Sequence, residues 1–216
     1  MKADSSLAGG SFLDFQGPFR AAADIILASA SPRRQALLAS LGICFQVIPA
    51  RFKEPPPEPG TSPEEYALVM AREKAREVAG KNPESVIIAA DTIVVLEGTI
   101  MGKPESKTHA LEMLTRLQGN THQVVTASCV KWTSRELEKS IVCSTSVEMA
   151  RAPGRILEEY VKSGEPADKA GAYAIQGLGA FLISSVSGSY TNVVGLPLTR
   201  VWEALLEMKA IKTSGE

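Results

Sequence analysis

Residues 85–98 read SVIIAADTIVVLEG, an apolar run that is rich in β-branched residues and too short to span a membrane. The run predicts a long buried β-strand. Asp91 interrupts it in the middle, where an isolated carboxylate is costly to bury. Such a group is usually paired with a cation, bound to a metal or used as a base. The alternative is an aspartate that ends the strand and caps a neighbouring loop. Thr92 falls on the opposite face if the alternation is regular.

Outward from this strand, short apolar runs alternate with amphipathic helical patterns, which is typical of an α/β protein. Two long strands near 122–132 and 141–150, joined by a charged turn, should pair antiparallel and make the sheet mixed. The Gly-rich segment 164–190 predicts a loop and a hairpin. The remaining patterns predict strands near 24–29 and 45–49 and helices over 32–41, 63–79, 106–118, 154–163 and 197–208.

Composition narrows the class of protein. The chain has 216 residues, 44% of them hydrophobic, and a formal net charge of -1, so it can bury one sizeable core but has no basic field for nucleic acid. Three cysteines without metal-ligand spacing suggest a reducing compartment, and no apolar run approaches the roughly 20 residues of a membrane span. We therefore expect a cytoplasmic protein with neither nucleic-acid nor membrane partners. Residues 1–23 should be a poorly ordered extension, 24–211 a single domain and 212–216 a tail.

Two arginines occupy an unusual position in residues 27–42, LASASPRRQALLASLG. Ser31 suits the N-cap of a helix and Pro32 its first position, which places Arg33 and Arg34 in the first turn. Basic side chains there oppose the helix dipole by roughly 0.3–1 kcal/mol. A phosphate bound at the helix N-terminus, with Ser29 beside it, would supply the missing negative charge. The alternative is that both arginines bend away to solvent or to carboxylates elsewhere.

Lys74 falls on the buried stripe of the predicted helix 63–79, at helical spacing from Ala67, Met70 and Ala71. A lysine in such a place commonly extends its ammonium group to solvent, so the pattern leaves both interpretations open. Lys103, Glu54, Gln176 and the pair Asp168-Lys169 do not stand out individually.

Taken together, these segments resemble the Maf family of nucleoside triphosphate pyrophosphatases. Ala90 and Ala174 depart from the family pattern, which often has glycine at both positions. The matching segments, in chain order, are LASASPRRQALL (27–38), AREKA (71–75), AADTIVV (89–95), GKP (102–104), GEPADKAGAYAIQGLGAFL (164–182) and NVVGLPL (192–198).

The resemblance implies a fold and an activity. The fold would be α/β, with a long twisted mixed β-sheet flanked by helices and two lobes around a central cleft, and members are often homodimers. The activity would be hydrolysis of a nucleoside triphosphate to the monophosphate and pyrophosphate, with Mg²⁺ or Mn²⁺. One subgroup shares Arg33, Thr92 and Gln176 with this chain; it prefers dTTP and UTP and accepts some modified pyrimidine nucleotides.

Residue-level and family arguments combine into one hypothesis for the site. Asp91 would deprotonate the attacking water or hold the metal, two roles that the sequence leaves open, and Glu54 would be the second metal ligand. Thr92 and Gln176 would read the base, since an amide both donates and accepts as uracil and thymine require. The triphosphate would lie among the serine and basic side chains Ser29, Arg33, Arg34, Lys74 and Lys103, of which Lys74 and Lys103 would be catalytic with Asp91.

Two other functions remain open at this stage. The family's association with septum formation suggests a nucleotide-sensing protein that inhibits cell division without significant turnover, or an enzyme that combines turnover with division arrest. A phosphate-binding sensor would not need Asp91. The other candidate is an enzyme of the same architecture that removes purine triphosphates such as ITP.

Overall fold

The computed structural model describes residues 17–215. The strands of these residues form two sheets, one of seven strands in the order β3-β2-β4-β6-β7-β8 with β5 paired to β4, and one formed by β1 and β9. In chain order the elements are β1 (Phe19–Ala21), β2 (Ile25–Leu27), α1 (Pro32–Ala39), β3 (Gln46–Val47), α2 (Pro63–Ala79), β4 (Val86–Leu96), β5 (Thr99–Met101), α3 (Lys107–Leu117), β6 (Thr121–Trp132), β7 (Leu137–Met149), α4 (Gly154–Lys162), β8 (Ile183–Ser187), α5 (Tyr190–Val194), α6 (Leu198–Glu207) and β9 (Ile211–Thr213).

The large sheet is mixed, as predicted. Strand β2 pairs parallel with β3 and β4, whereas β4, β6, β7 and β8 pair antiparallel in succession. Helices flank the sheet, so the α/β class with a mixed sheet is confirmed. Strand β4 lies between β2 and β6, and ten of its eleven residues are buried, which explains why its sequence is almost wholly apolar.

The outer edge of β4 is interrupted. Its first part pairs with β2 over Val86–Ile88, and its last part pairs with β5 over Val94–Leu96. Over residues 89–93, no strand of the described chain lies on that edge. Because the pairing with β2 ends at Ile88 and the pairing with β5 begins at Val94, this edge of the sheet has a gap beside Asp91 and Thr92.

Three apolar clusters surround this gap. On one face, α2 packs against the sheet through Ala67, Ala71 and Ala75, small side chains at four-residue intervals that bring the helix close to the strands. The other face carries two separate clusters. One is centred on Leu38 and α6 and the other on α3 and α4, and together they give the two lobes.

The turn between β6 and β7 is shorter than predicted. Residues 133–140 were expected to form a charged turn, but β7 already begins at Leu137, which lies opposite Trp132. A single 3-10 turn over Thr133–Arg135 reverses the chain, with Glu136 in the left-handed region at φ 56. Two of the four charged residues of the segment, Glu138 and Lys139, are therefore strand residues with exposed side chains.

The Gly-rich segment does not form the predicted hairpin. It contains 3-10 turns over Glu165–Asp168, Ala170–Ala172 and Leu178–Leu182, and then β8, which pairs with β7 and not with another strand of the segment. The physical reason is the Glu165 carboxylate, which accepts hydrogen bonds from backbone N–H groups further along the segment and holds it in compact turns.

The two chain ends differ from the expected extension and tail. Residues 1–16 lie outside the described residues, but Phe19–Ala21 pairs antiparallel with Ile211–Thr213, and so the ordered chain crosses the expected limits at 24 and 211. The Phe19 ring packs against Trp202 with ring centroids 5.7 Å apart. Strands of three residues carry too little periodicity to be recognised from sequence.

Candidate active site

A cleft of about 790 Å³ opens where the edge of β4 is interrupted. It lies between the two lobes and is bounded by the start of α1, the loop before α2, the Gly-rich segment and the turn after α5. All nine residues that the sequence nominated line this one cleft: Ser29, Arg33, Arg34, Glu54, Lys74, Asp91, Thr92, Lys103 and Gln176.

An ion cluster forms one wall of the cleft. The Lys74 Nζ lies 2.5 Å from Glu54 Oε1 and 2.7 Å from Asp91 Oδ1. Asp91 is only 5% exposed, and the Lys74 side chain is 13% exposed, so the pair is largely removed from water. Lys74 thus turns inward from α2 rather than extending to solvent, and Asp91 is paired with a cation rather than capping a loop.

The Glu54 carboxylate is ionised in this setting. Burial disfavours its charged form, but the hydrogen bond and the charge of Lys74, together with the charges of Lys103 and Arg34, outweigh burial and lower its pKa. Two carboxylates and one ammonium group therefore share a small volume. The cluster keeps one excess negative charge beside the remaining cations of the cleft.

Arg34 is fixed on the opposite face of β4. Its guanidinium donates from Nε to the Gly195 carbonyl at 2.7 Å, from Nη1 to Ser29 Oγ at 3.3 Å and from Nη2 to Thr92 Oγ1 at 2.9 Å. Burial lowers the pKa of Arg34, an effect that the charge of Asp91 opposes, and a guanidinium stays protonated in proteins. Arg34 therefore does not bend away to solvent.

Arg33 and Lys103 contrast with Arg34. Both line the cleft, and neither side chain makes a hydrogen bond or an ion pair with any residue between 17 and 215. Ser31 takes the N-cap position of α1, but its side chain accepts no capping bond, and the first turn holds no acid. The N-terminus of α1 thus keeps free N–H donors and an unpaired arginine, which is the arrangement that an anion requires.

The Gly-rich segment forms the far wall. Glu165 accepts hydrogen bonds from Tyr160 Oη and from the backbone N–H groups of Leu178 and Gly179, each at 2.8 Å. Burial disfavours the Glu165 carboxylate, but these three bonds outweigh it and lower its pKa. These three hydrogen bonds hold the turn that carries Gln176. The exposed amide of Gln176 donates to Tyr190 Oη at 3.0 Å.

The cleft contains further polar residues that sequence reasoning did not nominate. Asp168 and Lys169, which pair with each other, line it, and so does Glu165. The Gly-rich context drew attention to the segment, but single polar residues there carried no distinguishing signal. Thr126 and Asn192, both fully buried, contact the site from behind Thr92, and no local pattern could have identified them.

A divalent metal fits this donor set as a partly hydrated ion. Among residues 17–215, no group of three or more His, Cys, Asp or Glu side chains is placed to hold a metal. Glu54 and Asp91 do, however, converge on one point, since both reach the same Lys74 ammonium group. Mg²⁺ commonly takes one or two carboxylates and completes its shell with water and phosphate oxygens.

Within the same residues, every helix is too short or too polar to cross a lipid bilayer.

Comparisons with known proteins agree with the geometry. A family model described as Maf-like protein matches residues 24–208. The chain is 49% identical over 197 residues to a dTTP/UTP pyrophosphatase of Nitratidesulfovibrio vulgaris, covering 90% of this chain and 92% of that protein. It is 44% identical over 204 residues to a dTTP/UTP pyrophosphatase of Oleidesulfovibrio alaskensis, covering 94% and 93%.

A weaker structural likeness is to a HAM1 protein from Coxiella burnetii, with a TM-score of 0.46 and 19% identity over 86% of this chain and 99% of that one. The family match spans most of the described domain and includes every nominated residue of the cleft. The chain therefore belongs to the family of Maf-like proteins.

Proposed function

We propose that this protein hydrolyses dTTP and UTP to the nucleoside monophosphate and pyrophosphate. One observation carries the proposal: a single cleft gathers Arg33, Arg34, Lys74 and Lys103 around a buried carboxylate, Asp91. Relatives at 44% and 49% identity over nearly the whole chain bear the name dTTP/UTP pyrophosphatase. The sensor and the purine-specific enzyme are less well supported, because neither accounts for both facts.

The cations suit a triphosphate. The lining of the cleft carries five basic side chains and four carboxylates, so one positive charge remains uncompensated. Arg33 and Lys103, which have no protein partner in the described chain, are free to bind phosphate oxygens and to stabilise charge that moves onto the leaving pyrophosphate. Arg34 is already held by protein contacts before substrate binds, so it would donate to the triphosphate from a fixed position.

Asp91 would direct the attack on the α-phosphate. Its Oδ1 accepts from Lys74 at 2.7 Å, which fixes the carboxylate and leaves Oδ2 to orient a water molecule and accept its proton. Lys74 thus acts by aligning the base as well as by its charge. Holding a metal is the second role that the same carboxylate could take.

Glu54 and Asp91 would hold a divalent cation such as Mg²⁺ or Mn²⁺, which when bound neutralises phosphate charge and activates water. Their oxygens are of the type this ion prefers, and both carboxylates line the cleft and contact the same ammonium group. Lys74 occupies the point between them in the described structure, so its ammonium would turn towards the phosphates when the ion is present.

Base recognition would fall to Gln176 and Thr92. Gln176 sits on the Gly-rich wall with an exposed amide that can both donate and accept, which matches the alternating edge of uracil or thymine. Thr92 would contribute from β4. Modified pyrimidine triphosphates with the same base edge would also be hydrolysed, which would limit their incorporation into nucleic acid. A link to division arrest would act through the concentration of these pyrimidine triphosphates.

A panel of nucleoside triphosphates tests the proposal. We expect pyrophosphate release from dTTP and UTP in the presence of Mg²⁺ or Mn²⁺, much less from CTP, GTP and ITP, and none with Asp91→Asn. Stoichiometric binding of UTP without turnover would favour the septum-inhibiting sensor, and preference for ITP would favour the purine enzyme. Light scattering on the same sample tests the proposed homodimer, and fractionation of cells tests the proposed cytoplasmic location.

A further inference from the structure

A chain of hydroxyl groups runs from the cleft into the core behind Arg34. Arg34 Nη2 lies 2.9 Å from Thr92 Oγ1, Thr92 Oγ1 lies 3.0 Å from Thr126 Oγ1, and Thr126 Oγ1 lies 2.9 Å from the backbone carbonyl of Asn192. The chain therefore links a proposed phosphate-binding arginine to strand β6 and then to helix α5.

The direction of every hydrogen in this chain follows from the chemistry of its ends. The Asn192 carbonyl can only accept, so the one hydroxyl hydrogen of Thr126 must point to it. Thr126 then has only lone pairs left for Thr92, and the hydrogen of Thr92 must point to Thr126. Arg34 can only donate, and it donates to the lone pair that Thr92 has left. One arrangement satisfies all three contacts, and its bonds reinforce one another.

The inner end of the chain is rigid. Thr126 and Asn192 are both 0% exposed, so water does not compete for these bonds. The Asn192 side chain donates to the Val124 carbonyl and to Thr145 Oγ1, each at 2.9 Å, and this ties α5 to β6 and β7. The same turn presents the Gly195 carbonyl, which accepts from Arg34 Nε at 2.7 Å. Two of the three partners of Arg34 thus depend on one buried anchor.

We propose that Thr126 is a positioning residue for the hydrolytic reaction: it holds Thr92 as a hydrogen-bond acceptor and thereby fixes the guanidinium of Arg34 for the triphosphate. The inference rests on the proposed function. It assigns a role to a residue that does not line the cleft, and it explains why a fully buried position of β6 carries a hydroxyl that is hydrogen-bonded on both sides. Valine at this position would keep the shape and leave Thr92 free to rotate.

The test compares Thr126→Val with Thr126→Ser, which keeps the hydroxyl. Because a buried hydrogen bond to a charged-group network is involved, we expect Thr126→Val to lower kcat/KM for UTP by about tenfold and Thr126→Ser by less than about threefold. Ser128→Ala is the matched control, since Ser128 lies two residues along the same strand, is equally buried and has no partner for its hydroxyl in the described chain. Its kcat/KM should stay within about twofold of wild type.

A double-mutant cycle separates positioning from general destabilisation. In an Arg34→Ala background, Thr126→Val should cause no further loss of kcat/KM, because the group that it positions is gone. An equal loss in both backgrounds, or wild-type kinetics for Thr126→Val, would overturn the proposal. Thermal melting of each variant checks folding, and Thr126→Ala replaces Thr126→Val in the cycle if the valine variant does not fold.

Failure of the proposed function gives a different result. If the wild-type protein does not hydrolyse UTP, binding of a UTP analogue with an α,β-methylene bridge is measured by calorimetry instead. The positioning role predicts that Thr126→Val weakens this binding by about tenfold and that the difference vanishes in the Arg34→Ala background. Unchanged affinity in Thr126→Val would refute it whether or not the protein is a pyrophosphatase.

Discussion

The two faces of β4 contribute to the cleft through different kinds of contact. Asp91 and Thr92 are neighbours in sequence and therefore point to opposite faces of the strand. On the Asp91 face, α2 supplies Lys74 and the preceding loop supplies Glu54, so the contacts are between full charges. On the Thr92 face, the partners are the hydroxyl of Thr126 and the guanidinium of Arg34.

The difference separates pH-sensitive chemistry from fixed binding geometry. On the Asp91 face, burial disfavours the charged form of Glu54, but the hydrogen bond and the charge of Lys74 outweigh burial and lower the pKa of this carboxylate. On the Thr92 face, burial lowers the pKa of His122, four residues before Thr126 on β6, to about 4. His122 is therefore neutral at assay pH and bonds to Tyr173 Oη at 2.7 Å.

The largest loss of activity should come from a change on the Asp91 face. Asp91→Asn keeps the shape of the side chain but removes the base and its charge, so we expect kcat for UTP to fall by roughly 10³-fold or more. Pyrophosphate release is the measurement. Glu97→Gln is the control, because Glu97 is an exposed residue just past the end of the same strand, and it should leave kcat unchanged. An Asp91→Asn enzyme that retains half of the wild-type rate would contradict the role.

Lys74→Met should have the next largest effect, a loss of about 10²-fold in kcat/KM at neutral pH, because it removes a cation that contacts both carboxylates. The pKa of Glu54, which Lys74 lowers in the wild type, should rise. The acidic limb of the pH profile should therefore move to higher pH. Lys81→Met, an exposed change just beyond α2, should leave the profile in place; a Lys74→Met profile that overlays the wild type would count against the cluster.

Arg33→Ala compares the free arginine with the anchored one. Since Arg33 has no protein partner to lose in the described chain, we expect stability to be unchanged, KM for UTP to rise and kcat to fall, with kcat/KM lower by about tenfold. Arg155→Ala is the matched control, since Arg155 is an exposed arginine in the first turn of α4 that lies outside the cleft and has no side-chain partner in the described chain. A variant with lowered thermal stability and normal kinetics would show that Arg33 is structural instead.

The smallest effect should be on base selectivity. Gln176→Ala removes an amide at the far wall without touching the phosphate cluster, so we expect a change of a few-fold in the preference for UTP over CTP, about 1 kcal/mol, and little change in kcat for the preferred substrate. Competition between the two nucleotides measures it. Gln123→Ala, an exposed glutamine on β6, is the control. An unaltered ranking would exclude Gln176 as the base reader.

The sequence predicted more of the contacts on the Asp91 face of β4 than on the Thr92 face. Helical periodicity placed Lys74 on the buried stripe of α2, and the apolar run placed Asp91 inside a strand, because both are local patterns. It did not reach Thr126, whose position opposite Thr92 depends on the register between β4 and β6. It also missed β5, and with it the interruption in the sheet edge that makes room for the cleft.

By itself, the sequence determined the class of fold, the long central strand and the residue types that phosphate chemistry requires, since hydrophobic period, helix signals and charge placement act over a few residues. Only the tertiary structure decided that Lys74 joins Glu54 to Asp91, that Arg34 is anchored while Arg33 is free, and that Glu165 folds the Gly-rich segment into turns. These outcomes depend on strand register and on contacts between residues far apart in the chain, and local preferences do not specify either.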